Sequence, residues 1–183
     1  MRPSARTAIL DAAIRVTERA GITGLTMDAA AEEAGVTKGG LLYHFRTRDD
    51  LLLAIQRRLV DQWEARLLAE LGMPQDEATP RQRAAAYARL NLSDQMSSTA
   101  ELAFMVEAAN HPALAEVWND LARRWVPAPT SVEPATLDLF IARLASDGLW
   151  FLEATKAVPL TPAVRDALTR RIAALTAPPG LQA

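Results

Sequence analysis

Apolar residues recur along this chain at helical spacing from end to end. Ile9, Ala13, Val16 and Ala20 fall on one face of a first helix, which Gly21 and Gly24 end. Thr26 reads as the N-cap of a short helix with Asp28 in its first turn, and Gly35 as the residue that closes it. A third short helix follows Thr37 and ends near Phe45. Thr47-Arg48-Asp49-Asp50 has capping-box spacing, with Asp in place of Glu. It opens a long helix predicted over 48–71, whose stripe is Leu52, Ile55, Leu59, Trp63, Leu67 and Leu71. Gly72 and Pro74 stop it, and Thr79-Pro80 reads as an N-cap followed by a first-turn proline. Helices are predicted over 80–97, 100–110 and 112–126, with a break at His111-Pro112. The three prolines of 126–134 mark a loop. A helix over 134–156 follows, and Thr161-Pro162 starts a last one carrying Val164, Leu168, Ile172 and Leu175.

β-branched residues never alternate, and the dominant Ala, Leu and Arg are strong helix formers. The expected fold is therefore all-α, with about nine helices and no repeat. The chain has 183 residues, enough for one domain or a small one fused to a larger one. The expected division is a head over 1–47 and a helical body over 48–183.

Composition removes several classes of chemistry. With no cysteine and two histidines, His44 and His111, neither thiolate chemistry nor a histidine-rich metal site is expected. No Ser/His/Asp set, glycine-rich phosphate loop or carboxylate pair with histidine is present, so no catalytic residue and no enzyme is expected. The first residues carry charge without an apolar core, and no apolar run approaches the ~20 residues of a membrane span. The expectation is a cytoplasmic protein with no membrane partner. Net charge is −2, unevenly spread. Residues 1–60 hold nine Lys/Arg against seven Asp/Glu, and the remainder eleven against fifteen. A slightly basic head on an acidic body permits nucleic-acid contact at one end.

Residues 26–45, TMDAAAEEAGVTKGGLLYHF, read as helix, glycine turn, helix. Such a unit lays its second helix in the DNA major groove. Ala29, Ala30 and Ala34 let the two helices cross closely, while Val36, Leu41 and Phe45 face the core. Thr37, Lys38, Gly39, Gly40, Tyr43 and His44 are left outward. Lys38 can reach base edges or phosphate, and Tyr43, His44 and Arg48 are donors suited to phosphate oxygens.

The stretch from Thr26 to Leu51, with Gly35, Lys38-Gly39, Tyr43-His44-Phe45 and Arg48 in fixed spacing, resembles the DNA-binding signature of TetR-like bacterial regulators. Arg6, Ile9 to Ala13 and Gly21 fit that family's first helix. Arg48 stands where the family usually has Lys, and Leu42 where many members carry Tyr, with Tyr43 one place later. The resemblance implies that Thr26, Tyr43, His44 and Arg48 hold phosphates and that Thr37, Lys38, Gly39 and Gly40 lie against bases. It implies a homodimer on a double-stranded DNA operator, a C-terminal domain for dimerisation and ligand binding, and an unknown small-molecule effector, with no cofactor. Candidate pocket residues are Trp63, Leu67, Tyr87, Asn91, Phe104, Met105, Ala108 and Trp118. Asp94 and Glu107 are candidates for favouring a cationic ligand. Leu137, Ile141, Leu144, Gly148, Trp150, Leu168, Ile172 and Leu175 are the interface candidates. The competing expectation is a helical ligand-binding or interaction module without sequence-specific DNA binding.

Overall fold

Capping chemistry sets most of the helix starts. Ser4, Thr26, Thr37, Thr79 and Thr161 each accept a hydrogen bond from a backbone N–H three residues on. This satisfies donors that a helix start otherwise leaves open. Thr47 and Asp50 cap reciprocally: Asp50 N donates to Thr47 Oγ1 (3.0 Å) and Thr47 N to Asp50 Oδ2 (3.1 Å). Thr79 and Gln82 form a second capping box.

The computed structural model describes residues 4–93 and 99–178. The described residues form nine helices and no strand. They are α1 (Ala5–Gly24), α2 (Met27–Ala34), α3 (Lys38–His44), α4 (Arg48–Leu71), α5 (Pro80–Asn91), α6 (Thr99–Ala108), α7 (Pro112–Trp125), α8 (Pro134–Ala154) and α9 (Pro162–Leu175). The helix expected over 80–97 stops at Asn91, where Leu92 takes the cap; Asp94 lies outside the described residues. Helix α1 loses its regular geometry at Gly21, whose φ of 70° lies in the left-handed region that glycine alone adopts cheaply.

Two compact units divide the chain differently from the expected boundary after residue 47. The first comprises Met1–Gln62 with Ser98–Trp118, and the second Trp63–Ser97 with Asn119–Ala183. In the first, Ile9, Leu10, Ala13 and Val16 of α1 pack with Leu41, Phe45, Leu51, Leu52 and Ile55 around one core. Phe104, Ala108 and Leu114 fill the same core, so α6 belongs with the head. Arg15 and Arg19 of α1 bind Glu33 of α2 at 2.9 and 3.0 Å. In the second unit Ala88 and Leu92 meet Ala142, Leu149 and Ile172, which joins α5, α8 and α9.

Candidate nucleic-acid interface and buried polar cluster

Helices α2 and α3 meet at Gly35, whose φ of 66° ends α2 in the left-handed region. The Thr37 hydroxyl accepts from Gly40 N (3.1 Å) and fixes the start of α3. Leu41 (0% exposed) and Phe45 (2%) anchor α3 to the core. The opposite face is open, with Tyr43 85% exposed and standing edge-on to His44. A Cβ added at Gly39 would meet nothing within 4 Å, whereas one at Gly40 would meet Thr37 Oγ1 at 3.3 Å. Gly39 thus leaves a bare stretch of backbone facing solvent. Lys38 reaches back to Asp28 on α2 (2.9 Å), so this outward cation is already paired by an exposed carboxylate.

Arg48 departs from its expected role as an outward phosphate donor. Its Nε donates to Leu25 O (3.2 Å) and its Nη2 to Ile22 O (3.1 Å), so the guanidinium clamps the α1–α2 turn. The break at Gly21 presents these carbonyls, and Arg48 at the start of α4 reaches them. Arg46, absent from the sequence-derived candidates, is exposed two residues past the end of α3 and has no partner among the described residues. Arg6 lies over the Phe45 ring at 5.0 Å, a cation–π contact tying α1 to the end of α3.

The eight pocket candidates separate. Phe104 and Ala108 are core side chains of the first unit because α6 packs on α1, and Met105 is 41% exposed. Trp118 is half-buried in the first unit. Glu107 pairs with His111 at 3.1 Å. Trp63, Leu67, Tyr87 and Asn91 are all buried in the second unit. Trp63 and Tyr87 stand edge to face with centroids 5.0 Å apart. Tyr87 Oη (2.8 Å) and Asn91 Nδ2 (2.6 Å) both donate to Asp147 Oδ1, and Arg143 Nε lies 3.4 Å from Asp147 Oδ2. Arg143 also sits over the rings of Tyr87 (5.9 Å) and Phe140 (5.7 Å). Although 38% of the Asp147 side chain is open, desolvation among these groups is the largest influence on its carboxyl. It raises the pKa above the ordinary 3.8, against the opposing pull of Tyr87, Arg143 and Asn91. Burial, and then the Asp147 charge, push the Tyr87 phenol up as well. Asp147, Arg143 and Phe140 were missed from sequence; the i, i+4 spacing of Arg143 and Asp147 was the available signal.

Among the interface candidates, Ile141 (47%), Leu144 (56%) and Leu168 (39%) are exposed, and Leu137 and Leu175 are half-buried. Trp150 (7%) and Ile172 (6%) are buried within the chain's own second unit, which corrects their placement on an outer face. Phe151, 47% exposed, was overlooked. Gly148 has nothing within 4 Å of an added Cβ. It borders a groove of about 910 Å³ along α8 and α9, walled by Leu149, Leu152, Leu168, Ile172 and Leu175. No helix of the described residues is long and apolar enough to cross a membrane, and none of their His/Asp/Glu clusters has a metal-binding arrangement.

Comparison with known proteins gives a consistent result. A family model described as bacterial regulatory proteins, tetR family, matches residues 9–55. A second, described as tetracyclin repressor-like, C-terminal domain, matches residues 81–177. The HTH-type transcriptional regulator BetI of Rhizobium meliloti (strain 1021) is 30% identical over 180 residues, covering 92% of this chain and 87% of that protein. Among solved structures, the multidrug binding protein EbrR complexed with malachite green is 25% identical with a TM-score of 0.64, over 94% of this chain and 98% of that one. A protein from Saccharomonospora viridis solved with choline shares the fold, with a TM-score of 0.71 at 22% identity over 93% of this chain and 94% of that one.

Proposed function

The chain belongs to the TetR family of bacterial regulatory proteins, and from that premise we propose that it is a homodimeric repressor that leaves a palindromic operator when a small molecule binds. The observation that carries this reading is the open face of α3. There Tyr43, His44 and Gly39 stand clear of the core that Leu41 and Phe45 anchor, and Arg46 is exposed just past the end of the helix. Thr26, Tyr43 and His44 hold phosphates together with Arg46, while Thr37, Lys38, released from Asp28, and the bare backbone at Gly39 and Gly40 meet base edges.

Exposed Ile141, Leu144, Phe151 and Leu168 beside the α8–α9 groove support pairing of two copies. A two-fold dimer puts its recognition helices about 34–36 Å apart, one turn of DNA. The small-molecule complexes of EbrR and of the Saccharomonospora viridis protein support an effector in this chain also. The effector acts through α4, which starts at the DNA-binding head and contributes Trp63 to the second unit. It works only by its difference in affinity for the bound and released states, typically about 1–3 kcal/mol or 5–150-fold. The protein acts in the cytoplasm, where its operator is. Selection of duplexes from a random pool with the purified protein is expected to return a palindrome with half-sites about one turn apart. A pool that stays random overturns the proposal.

A further inference from the structure

The second unit contains a carboxylate and an aromatic wall with a cation already seated on them. Asp147 is the fixed member, since Tyr87 and Asn91, both buried, aim their donors at the same oxygen. Arg143 is the loosely held one. Its Nε faces the other oxygen at 3.4 Å and makes no hydrogen bond there, although that atom is buried. Its guanidinium carbon lies over the Tyr87 and Phe140 rings at 5.9 and 5.7 Å, the outer range of cation–π contact. Its one good hydrogen bond in the cluster runs elsewhere, from Nη1 to Val126 O (2.7 Å), just past the end of α7.

We propose that Asp147, Tyr87, Trp63 and Phe140 form a recognition site for an organic cation, and that Arg143 is the resident stand-in which that cation displaces. The inference rests on the ligand-responsive reading above and gives it a ligand class and a site. A quaternary or aromatic ammonium supplies what Arg143 supplies now, a positive charge against Asp147 Oδ2 and a face for the rings, and it brings more apolar surface to bury. An anion has the poorer case, because Asp147 is pinned by two neutral donors and cannot vacate the place an anion would need.

Displacement has a defined consequence. Val126 is 4% exposed, and Arg143 is the donor that its carbonyl loses. The adjoining Trp125 donates from Nε1 to Glu64 of α4 (3.1 Å), and Arg124 binds the same carboxylate (2.8 Å). Movement of Arg143 therefore reaches α4 through two residues of α7, inside one compact unit.

The test uses the full-length protein without DNA and three probes with one ring and three charges: benzyltrimethylammonium, benzyl alcohol and benzoate. Calorimetric titration is expected to rank the cation first by at least tenfold. Arg143→Met, which keeps the stem and removes the charge, should tighten the cation at least tenfold and leave benzyl alcohol unchanged. Asp147→Asn should weaken it at least tenfold. Should Asp147→Asn melt before it can be titrated, the wild-type ranking and the Arg143→Met gain decide. Preference for benzoate lost in Arg143→Met, or equal cation affinity in wild type and Arg143→Met, overturns the site. DNA selection is read separately, so a palindrome obtained without cation preference rejects this site and keeps the regulator, and the reverse pair of results does the opposite.

Discussion

Arg46 and Arg48 lie two residues apart, and the structure gives them different work. Arg48→Ala removes two hydrogen bonds from a charged donor to the carbonyls of Ile22 and Leu25. Such bonds contribute about 1.5–3 kcal/mol each when shielded. Because Arg48 is half-buried, about 1–3 kcal/mol is expected for the pair, discounted for solvent. For a chain of this size that lowers the melting temperature by about 2–4 °C per kcal/mol. Arg46→Ala touches nothing inside the protein and should leave melting unchanged. On DNA the order reverses. Each neutralised phosphate contributes about 0.9 to the slope of log K against log salt, so loss of Arg46 from both subunits of a dimer should flatten the slope by about 1.8. Arg48→Ala should keep the slope even where it weakens binding. Thermal melting and anisotropy titrations between about 50 and 200 mM salt read both quantities. An Arg48→Ala protein that melts with wild type and loses slope, beside an Arg46→Ala protein with wild-type slope, refutes the assignment.

Other substitutions separate stability from recognition in the same way. Gly39→Ala meets no neighbour and gains helix preference of about 0.5–1 kcal/mol, so it should melt at or above wild type yet bind DNA at least tenfold more weakly; unaltered binding would take Gly39 out of the interface. Glu33 has its carboxyl lowered below the ordinary 4.5, first by the hydrogen bond from Arg15 and then by that from Arg19. A depressed carboxylate stabilises above its unfolded pKa and loses that contribution as pH falls through the folded one. The melting difference between wild type and Glu33→Gln should therefore be full near neutral pH and shrink below about pH 4.5, and a gap constant down to pH 3 would contradict it. Leu144→Arg alters a side chain that is 56% exposed in the single chain, so it should leave secondary structure intact while sedimentation shows monomers; a dimer that persists places the interface elsewhere.

Helix starts were legible because they depend on neighbours within four residues. Thr26, Thr37, Thr79 and the Thr47–Asp50 pair announce themselves, and so does Gly35. The side on which a stripe is covered was not legible. Helix α8 carries Ile141, Leu144, Trp150 and Phe151 in a pattern that periodicity alone cannot divide between the chain's own core and an outer face. Trp150 is buried and Phe151 is 47% exposed, while α5 and α9 pack on the side of α8 that carries Ala142 and Leu149. Two of the pocket candidates lie apart from the others for a related reason. Phe104 and Ala108 look like pocket wall in sequence, but α6 docks on α1, and that contact joins residues nearly a hundred positions apart. Arg48 could be read as a phosphate donor because its internal partners are backbone carbonyls, which carry no mark in the sequence.

Gln56 is a poorly satisfied polar side chain in the buried face of α4. The helix has no glycine or proline between Arg48 and Leu71. Gln56 is fully buried on this helix, and among the described residues its side chain makes one long bond, from Nε2 to Leu114 O at 3.4 Å. Turning the amide over would set two oxygens against each other, so Oε1 has no partner among the described residues. A buried acceptor left open costs about 1–3 kcal/mol, more than a stretched neutral bond returns. Gln56→Met keeps the volume and discards both, and should raise stability by about 1–2 kcal/mol. Removing a weakly satisfied contact between α4 and α7 should also make the better-packed state harder to leave. Ligand-induced release of DNA is then expected to need more effector in Gln56→Met than in wild type. Chemical denaturation measures the first effect and DNA release titrated with effector the second. A variant less stable than wild type by 1 kcal/mol or more would show that the bond to Leu114 outweighs the open oxygen and that α4 is held there by design rather than by compromise.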